Sequence, residues 1–245
     1  MEVLNDLLGY KDRKIYQNTD WFYFTLDSVL LSDFVKIKNN DKNIIDIGTG
    51  TGAIPLILST KTNKIIDAIE IQQDVANLFR KTIIYNKLDN QINLIVDDIL
   101  NYSKNINNYY DIVISNPHYY NDLKKNITKE KLIARHEVCL DLKSLIKVSK
   151  KILKNNGKLF LVYNSNRFLE LLEELESNNL VPKRIRFVHQ NKNKEASMIL
   201  IECSKNGNPG LKIESPIIIK ENDSKNTIEY ERVLVGGDRI ESKKL

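Results

Sequence analysis

Residues 44–56 read IIDIGTGTGAIPL, and no other run narrows the choice of fold as far. Ile44, Ile45 and Ile47 suit a buried strand. Gly48, Gly50 and Gly52 then allow a tight turn and a close backbone approach to a ligand, and the apolar residues after them suit a helix. The N–H groups that open such a helix point outward and are free to bind.

The same alternation continues along the chain. Strands are expected at Asn43–Ile47, Lys64–Ile69, Ile92–Val96, Asp111–Ser115 and Lys158–Tyr163. A final pair is expected at Arg184–His189 and Ser197–Cys203, joined by a polar turn. Helical spacing marks Leu26–Ile37, Ala53–Ser59, Gln72–Asn86, Leu140–Lys154 and Arg167–Asn178. Apolar strands alternating with amphipathic helices predict an α/β, Rossmann-like fold: a mostly parallel seven-stranded sheet with helices on both faces. The closing pair predicts an antiparallel C-terminal hairpin that puts an antiparallel strand at one edge. The expected organisation is a single domain over 1–245. It has an N-terminal segment and helix (1–38), a core (39–203) and an extended tail packed on that core (204–245).

The composition excludes several other classes. The chain has 245 residues, 42% of them hydrophobic and 28% charged, which rules out disorder throughout. No apolar run nears the roughly 20 residues of a membrane span. The first residues, MEVLNDLLGYKDRKIY, carry charges where a secretory leader has an apolar core. Two distant cysteines, Cys139 and Cys203, form no disulfide framework, and with three histidines no metal-ligand spacing arises. The expectation is a cytoplasmic monomer without a metal and without a membrane partner.

In an open α/β sheet, ligands bind at the carboxyl ends of the strands, where the glycine turn sits. Glu70, 22 residues beyond Gly48, closes the next strand and can accept hydrogen bonds from both ribose hydroxyls of an adenosine cofactor. Gly48, Gly50 and Ala53 also satisfy G-x-G-x-x-A, so the glycines alone do not separate NAD from S-adenosylmethionine (SAM). Asp46 favours SAM, because a carboxylate there can orient the loop and reach the cofactor's amino group.

A second site follows the strand Asp111–Ser115, at Asn116-Pro117-His118-Tyr119. The Asn116 Oδ1 and the Pro117 carbonyl can each accept one hydrogen bond from a planar –NH₂, and the Tyr119 ring can stack on the attached plane. An adenine amine is a poor nucleophile because its lone pair is delocalised into the ring. Two acceptors on its N–H bonds help the nitrogen pyramidalise toward an incoming methyl, and no strong base is required.

These motifs resemble the class I SAM-dependent methyltransferases that carry an Asn-Pro-Pro-Tyr motif. Within them the chain is similar to the tRNA1(Val) adenine-37 N6-methyltransferase family. The resemblance rests on YQNTDWFYFTLDSVLLSDF, DIGTGTGAIPL, IEIQ, VDDI, SNPHYY, ARHE and PKRIRFVH, and covers nearly the whole chain. It implies S-adenosyl-L-methionine as cofactor and tRNA as partner. Asn116, Pro117 and Tyr119 would hold the base. Thr25, Asp46, Gly48, Gly50, Glu70, Ile71, Asp98 and Asn116 would hold the cofactor, with Asp98 near its adenine amino group. His118 stands where the family has a second proline; the three contacts to the base do not use that side chain.

The net charge is +5, with 29 lysines, and two stretches lack any acid. One runs from Leu142 to Leu169 and includes Lys143, Lys147 and Lys151 at four-residue spacing; the other runs from Pro182 to Lys194 and includes Lys183, Arg184 and Arg186. Such stretches suit a polyanion, and Lys147, Lys151, Arg184, Arg186, His118 and Arg135 are the expected RNA contacts. Three rivals share some of these features: a protein glutamine methyltransferase, a DNA adenine methyltransferase and a non-catalytic RNA-binding protein with the same fold.

Overall fold

The computed structural model describes residues 1–10, 13–19, 25–117, 140–222 and 225–236. His118, Tyr119, Arg135 and Cys139, together with the Trp21-Phe22 pair, lie outside the described residues.

The core sheet is built from β3 (Ile44–Ile47), β4 (Ile66–Glu70), β5 (Ile92–Val96), β6 (Tyr110–Ser115), β7 (Leu153–Asn164), β8 (Leu180–Asn191) and β9 (Ala196–Lys205). Their order is β5-β4-β3-β6-β7-β9-β8. The first five are mutually parallel, and β9 runs antiparallel to both β7 and β8. The seven expected strands are therefore present, but the antiparallel one is not at the edge. The chain lays down β8 on the outside and returns as β9 between β8 and β7. Ile199, Leu200 and Ile201 are all fully buried, as suits an inner strand packed on both faces.

Alternation along each strand divides the interior into two cores. Ile44, Ile66, Ala68, Ile112, Ile114, Phe160 and Val162 pack on one face with α1 (Leu26–Phe34), α2 (Ala53–Leu58) and Phe79 of α3 (Gln73–Tyr85). Ile45, Ile47, Ile69, Val113, Leu159 and Leu161 pack on the other with Ile99 of α4 (Ile99–Tyr102), α5 (Leu142–Ile152) and α6 (Phe168–Ser177).

Three regions differ from the sequence expectation. Glu2–Asp6 (β1) and Lys14–Asn18 (β2) form a separate antiparallel hairpin. It is held on α3, where Thr82 Oγ1 accepts from the Tyr16 N–H at 3.0 Å and the Asn86 amide bonds both the N–H and the C=O of Lys14. Its period-2 pattern is obscured because a buried glutamine, Gln17, takes an inward place beside Ile15. Next, α5 ends at Ile152, not Lys154, and Leu153 turns straight into β7 opposite Tyr110. Finally, the tail is not merely extended. Lys212–Ile213 (β10) and Ile217–Lys220 (β11) pair parallel with β8, and Ile228–Leu234 (α7) buries Tyr230 and Val233 in the first core. A strand edge that would otherwise offer unpaired backbone groups is thereby covered.

Candidate active site

The strands β3, β4, β5 and β6 end at one rim. Ile47 is level with Ile69 and with Ser115, and Glu70 with Val96. Gly48, Glu70, Asp98 and Asn116 thus follow neighbouring strand ends. β3 lies between β4 and β6 and is where the strand order reverses, the usual place for a ligand crevice in an open sheet.

The three glycines divide into two roles. All have positive φ: 70° at Gly48, 58° at Gly50 and 90° at Gly52. A Cβ at Gly48 or Gly50 would meet nothing within 4 Å, so these two present bare backbone to open space. A Cβ at Gly52 would lie 1.9 Å from the Phe79 ring, so Gly52 serves the packing of α3 against the turn. Glu70 holds this turn in shape. Its two carboxylate oxygens accept from the Gly50 and Gln72 N–H groups, each at 2.9 Å, and the side chain is buried. Gln72 was not legible as part of the site, because only its backbone N–H takes part.

Asp46 is fully buried in β3, and among the described residues neither of its oxygens meets a hydrogen-bond donor in good geometry. Burial pushes its carboxyl up to about 7, with the Thr49 hydroxyl opposing the shift and the Glu70 charge adding to it. A buried carboxyl that is poorly satisfied by the described residues, two positions before the glycine turn, fits a ligand that brings a donor or a positive charge. Asp98 caps α4 by accepting from the Leu100 N–H at 2.8 Å, and is half-buried. Ile71 follows Glu70 with an exposed apolar side chain (40%) that suits a flat ring. Bare glycine backbone, two buried carboxylates and an apolar shelf fit the adenosine and amino-acid parts of SAM.

Asn116 and Pro117 leave β6 half-buried at the same rim. The Asn116 Nδ2 donates to Ser28 Oγ at 2.9 Å and, more loosely, to Thr25 Oγ1 at 3.4 Å. Its Oδ1 is left without a donor among the described residues. Thr25 is the N-cap residue of α1, so the start of α1 lies against the Asn-Pro corner. Ser28 is a site residue the sequence did not disclose: it reads as one polar position in the first turn of a helix.

Of the expected RNA contacts, Lys147, Lys151, Arg184 and Arg186 are among the described residues, and both arginines are tied within the protein. Arg184 is buried, not surface-exposed. Its guanidinium is 2.7 Å from Glu202 and 3.4 Å from Glu214, donates to the Phe34 carbonyl at 2.7 Å and stacks over the Phe34 ring. Arg186 donates to the Ser215 carbonyl at 2.8 Å and pairs with Glu229. Both cations hold the tail and α1, because acids distant in sequence reach them in space. Lys151 donates to the carbonyls of Ser103 and Lys104 at 2.6 and 2.9 Å. Lys147 and Lys143 are exposed on α5 and form no ion pair with the described residues. His189 bonds the Lys194 carbonyl across the hairpin turn. No described helix is long and apolar enough to cross a membrane.

Solved methyltransferases share this architecture. A predicted O-methyltransferase from Agrobacterium tumefaciens superposes with a TM-score of 0.69 at 17% identity, covering 86% of this chain and 96% of that one. Geranyl diphosphate C-methyltransferase from Streptomyces coelicolor, solved with S-adenosyl-L-homocysteine, gives 0.54 at 13% identity over 74% and 77% of the two chains. Among named relatives, the tRNA1(Val) (adenine(37)-N6)-methyltransferase of Parabacteroides distasonis is 30% identical over 178 residues, 73% of this chain and 75% of that protein. Residues 26–188 match the family described as methyltransferase small domain, and the chain belongs to that family and, within it, to the tRNA1(Val) (adenine(37)-N6)-methyltransferases.

Proposed function

We propose that the protein methylates the exocyclic N6 of an adenine in tRNA, adenine 37 of tRNA1(Val), with SAM as donor. The observation that carries this reading is Asn116, at the strand end next to the glycine turn, with its Nδ2 tethered and its Oδ1 unpaired by described residues. When bound, SAM supplies a methyl group on a sulfonium sulfur. The chain's residues prepare the other reactant. Asn116 Oδ1 and the Pro117 carbonyl each accept one N6–H, drawing the lone pair out of conjugation, and the Tyr119 ring stacks on the base. As the N–C bond forms, the methyl–sulfur bond would break and leave S-adenosyl-L-homocysteine, and the nitrogen then sheds one proton to solvent, so no residue need act as a strong base. Holding the amine in line supplies much of the rate advantage. Glu70 and Asp46 would hold the ribose and amino ends of the donor, with Gly48 and Gly50 leaving room for it.

A paired adenine cannot present its amine to a cleft, whereas an anticodon-loop base can be splayed out and stacked. The cytoplasm is the compartment where this substrate is met. The deciding experiment is methyl transfer to tRNA from cells lacking the protein, followed by mass mapping of nucleosides. One methyl per tRNA at the N6 of adenine 37 is expected, and Asn116→Ala should abolish it while SAM still binds. Transfer to glutamine in a protein, or to adenine in DNA but not tRNA, would replace this reading with one of its rivals.

A further inference from the structure

An asparagine amide is almost symmetric in shape, and only its neighbours decide which end is oxygen. For the proposed chemistry the decision matters. With Oδ1 toward the substrate amine, the contact is an acceptor meeting a donor. With Nδ2 there, two N–H groups face each other and the site repels its substrate.

The structure places two hydroxyls against one end of this amide. Ser28 sits in the first turn of α1, is buried, and accepts from Asn116 Nδ2 at 2.9 Å across 88 residues of sequence. Thr25 Oγ1 offers a second, longer acceptor at 3.4 Å to the same nitrogen. An NH₂ group in that place gives one proton to each hydroxyl oxygen and leaves both hydroxyl protons for other acceptors, whereas a carbonyl oxygen there would take up both of them. The support is rigid. The Ser28 N–H donates to the Thr25 carbonyl at 3.1 Å, and the Ser28 carbonyl accepts from the buried Ser32 hydroxyl at 2.6 Å. At the other end of the helix, Arg184 donates to the Phe34 carbonyl and ties α1 to β8.

We propose that Ser28, assisted by Thr25, is a positioning residue: it fixes the Asn116 amide so that Oδ1 is the end presented to the reacting amine. This rests on the role given to Asn116 above.

The test uses the full chain with unmodified tRNA. Ser28→Ala should slow single-turnover methyl transfer roughly tenfold, the worth of one neutral hydrogen bond, with tRNA and SAM affinities unchanged. Ser28→Thr keeps the hydroxyl and should restore most of the rate. Ser28→Cys keeps the volume with a weak acceptor and should stay slow, which covers the case where the alanine variant folds poorly. In the Asn116→Ala background, Ser28→Ala should add no further loss. Side-chain amide exchange at Asn116, followed by NMR, should quicken in the alanine and cysteine variants but not in the threonine variant. A wild-type rate in Ser28→Ala alongside an inactive Asn116→Ala overturns the positioning role. Equal slowing in all three variants together with weakened SAM binding also overturns it, leaving a packing role. An active Asn116→Ala would instead remove the function assigned to Asn116 itself.

Discussion

Strand β8 and helix α5 each carry a run of cations with no acid between them in sequence, yet β8 turns its arginines into the protein and α5 keeps lysines in solvent. On β8, Lys183 bonds the Asn208 carbonyl, Arg184 meets Glu202 and Glu214, and Arg186 meets Ser215 and Glu229. Every one of those partners lies C-terminal to the strand, in β9 or the tail. On α5, Lys147 and Lys143 point outward, while Lys151 near its end is tied to Ser103, and Lys154, just beyond the helix in β7, to Asp111. An acid-free stretch of sequence is therefore not an acid-free region of space. Charge becomes available to a partner only where the fold brings no carboxylate or carbonyl to it. The RNA body is best sought along the first turns of α5.

The sharpest way to break this contrast is Arg184→Glu. The variant sets a carboxylate beside Glu202 and Glu214 in a site that excludes water, and it releases the Phe34 carbonyl. Burial alone would raise the Glu202 carboxyl, but Lys158 and Arg184 hold it below its ordinary value, so this is a working ion pair. Removing one member of a buried pair costs about 3–5 kcal/mol, and reversal should cost at least that. Thermal unfolding should show a melting temperature lower by ten degrees or so, in line with the few degrees expected for each kcal/mol in a chain of this size. A variant as stable as the wild type but weak in tRNA binding would place Arg184 back on the RNA path.

The complementary change is Lys143→Glu with Lys147→Glu. Stability should stay within about 0.5 kcal/mol, as for surface substitutions generally. Affinity for tRNA should fall on the order of tenfold or more, since each hydrogen bond to a charged group contributes roughly 1.5–3 kcal/mol. The slope of log affinity against log salt should flatten by about 1 per lost phosphate contact. Unchanged affinity and slope would mean that α5 is solvated surface and no more favoured than β8.

Much of the active rim could be read from sequence, because its signals are local. Asp46, Gly48, Glu70 and Asn116 each sit at a strand end that its own neighbours announce, and strand order then brings them together. The features that could not be read depend on pairings over long distances. Ser28 meets Asn116 only because α1 packs on the sheet over β7, the neighbour of β6, and Arg184 is buried because β9, α1 and the tail close round it. The N-terminal hairpin escaped because the left-handed position in its connection, φ 51°, falls on Leu8, while the glycine a reader would look for stands one place later at Gly9. Gly52 shows the reverse error: a motif glycine that belongs to packing, not to the ligand.

Asp46 extends the contrast to a buried acid that pairs with no cation among the described residues. Its folded-state pKa is raised from 3.8 to about 7, so ionising it costs more in the folded protein than in the unfolded chain. That penalty is absent below about pH 4, grows as pH rises toward 7, and is constant above. A bound ammonium group stabilises the ionised form, so SAM affinity should rise as pH goes from 6 to 8, by up to about tenfold. Calorimetric titrations at several pH values check this, and Asp46→Asn should remove the dependence. A slope that persists in Asp46→Asn would assign the titration to another group.

The smallest effect expected is that of Arg186→Ala, and it is the finest test of how β8 differs from α5. Arg186 is 17% exposed and its partner Glu229 is 47% exposed, so water screens much of their attraction. Such pairs contribute at most about 1 kcal/mol, and global stability should barely move. The change should instead be local. Arg186 bridges Ser215, just before β11, to Glu229 in the first turn of α7, so its loss loosens the tail against β8. Amide exchange should quicken across β11 and α7 while β7 and β9 keep their protection, and tRNA affinity should hold. Reduced tRNA affinity with an undisturbed tail would show that Arg186 serves RNA, confining the inward-turned cations of β8 to its buried arginine and to Lys183.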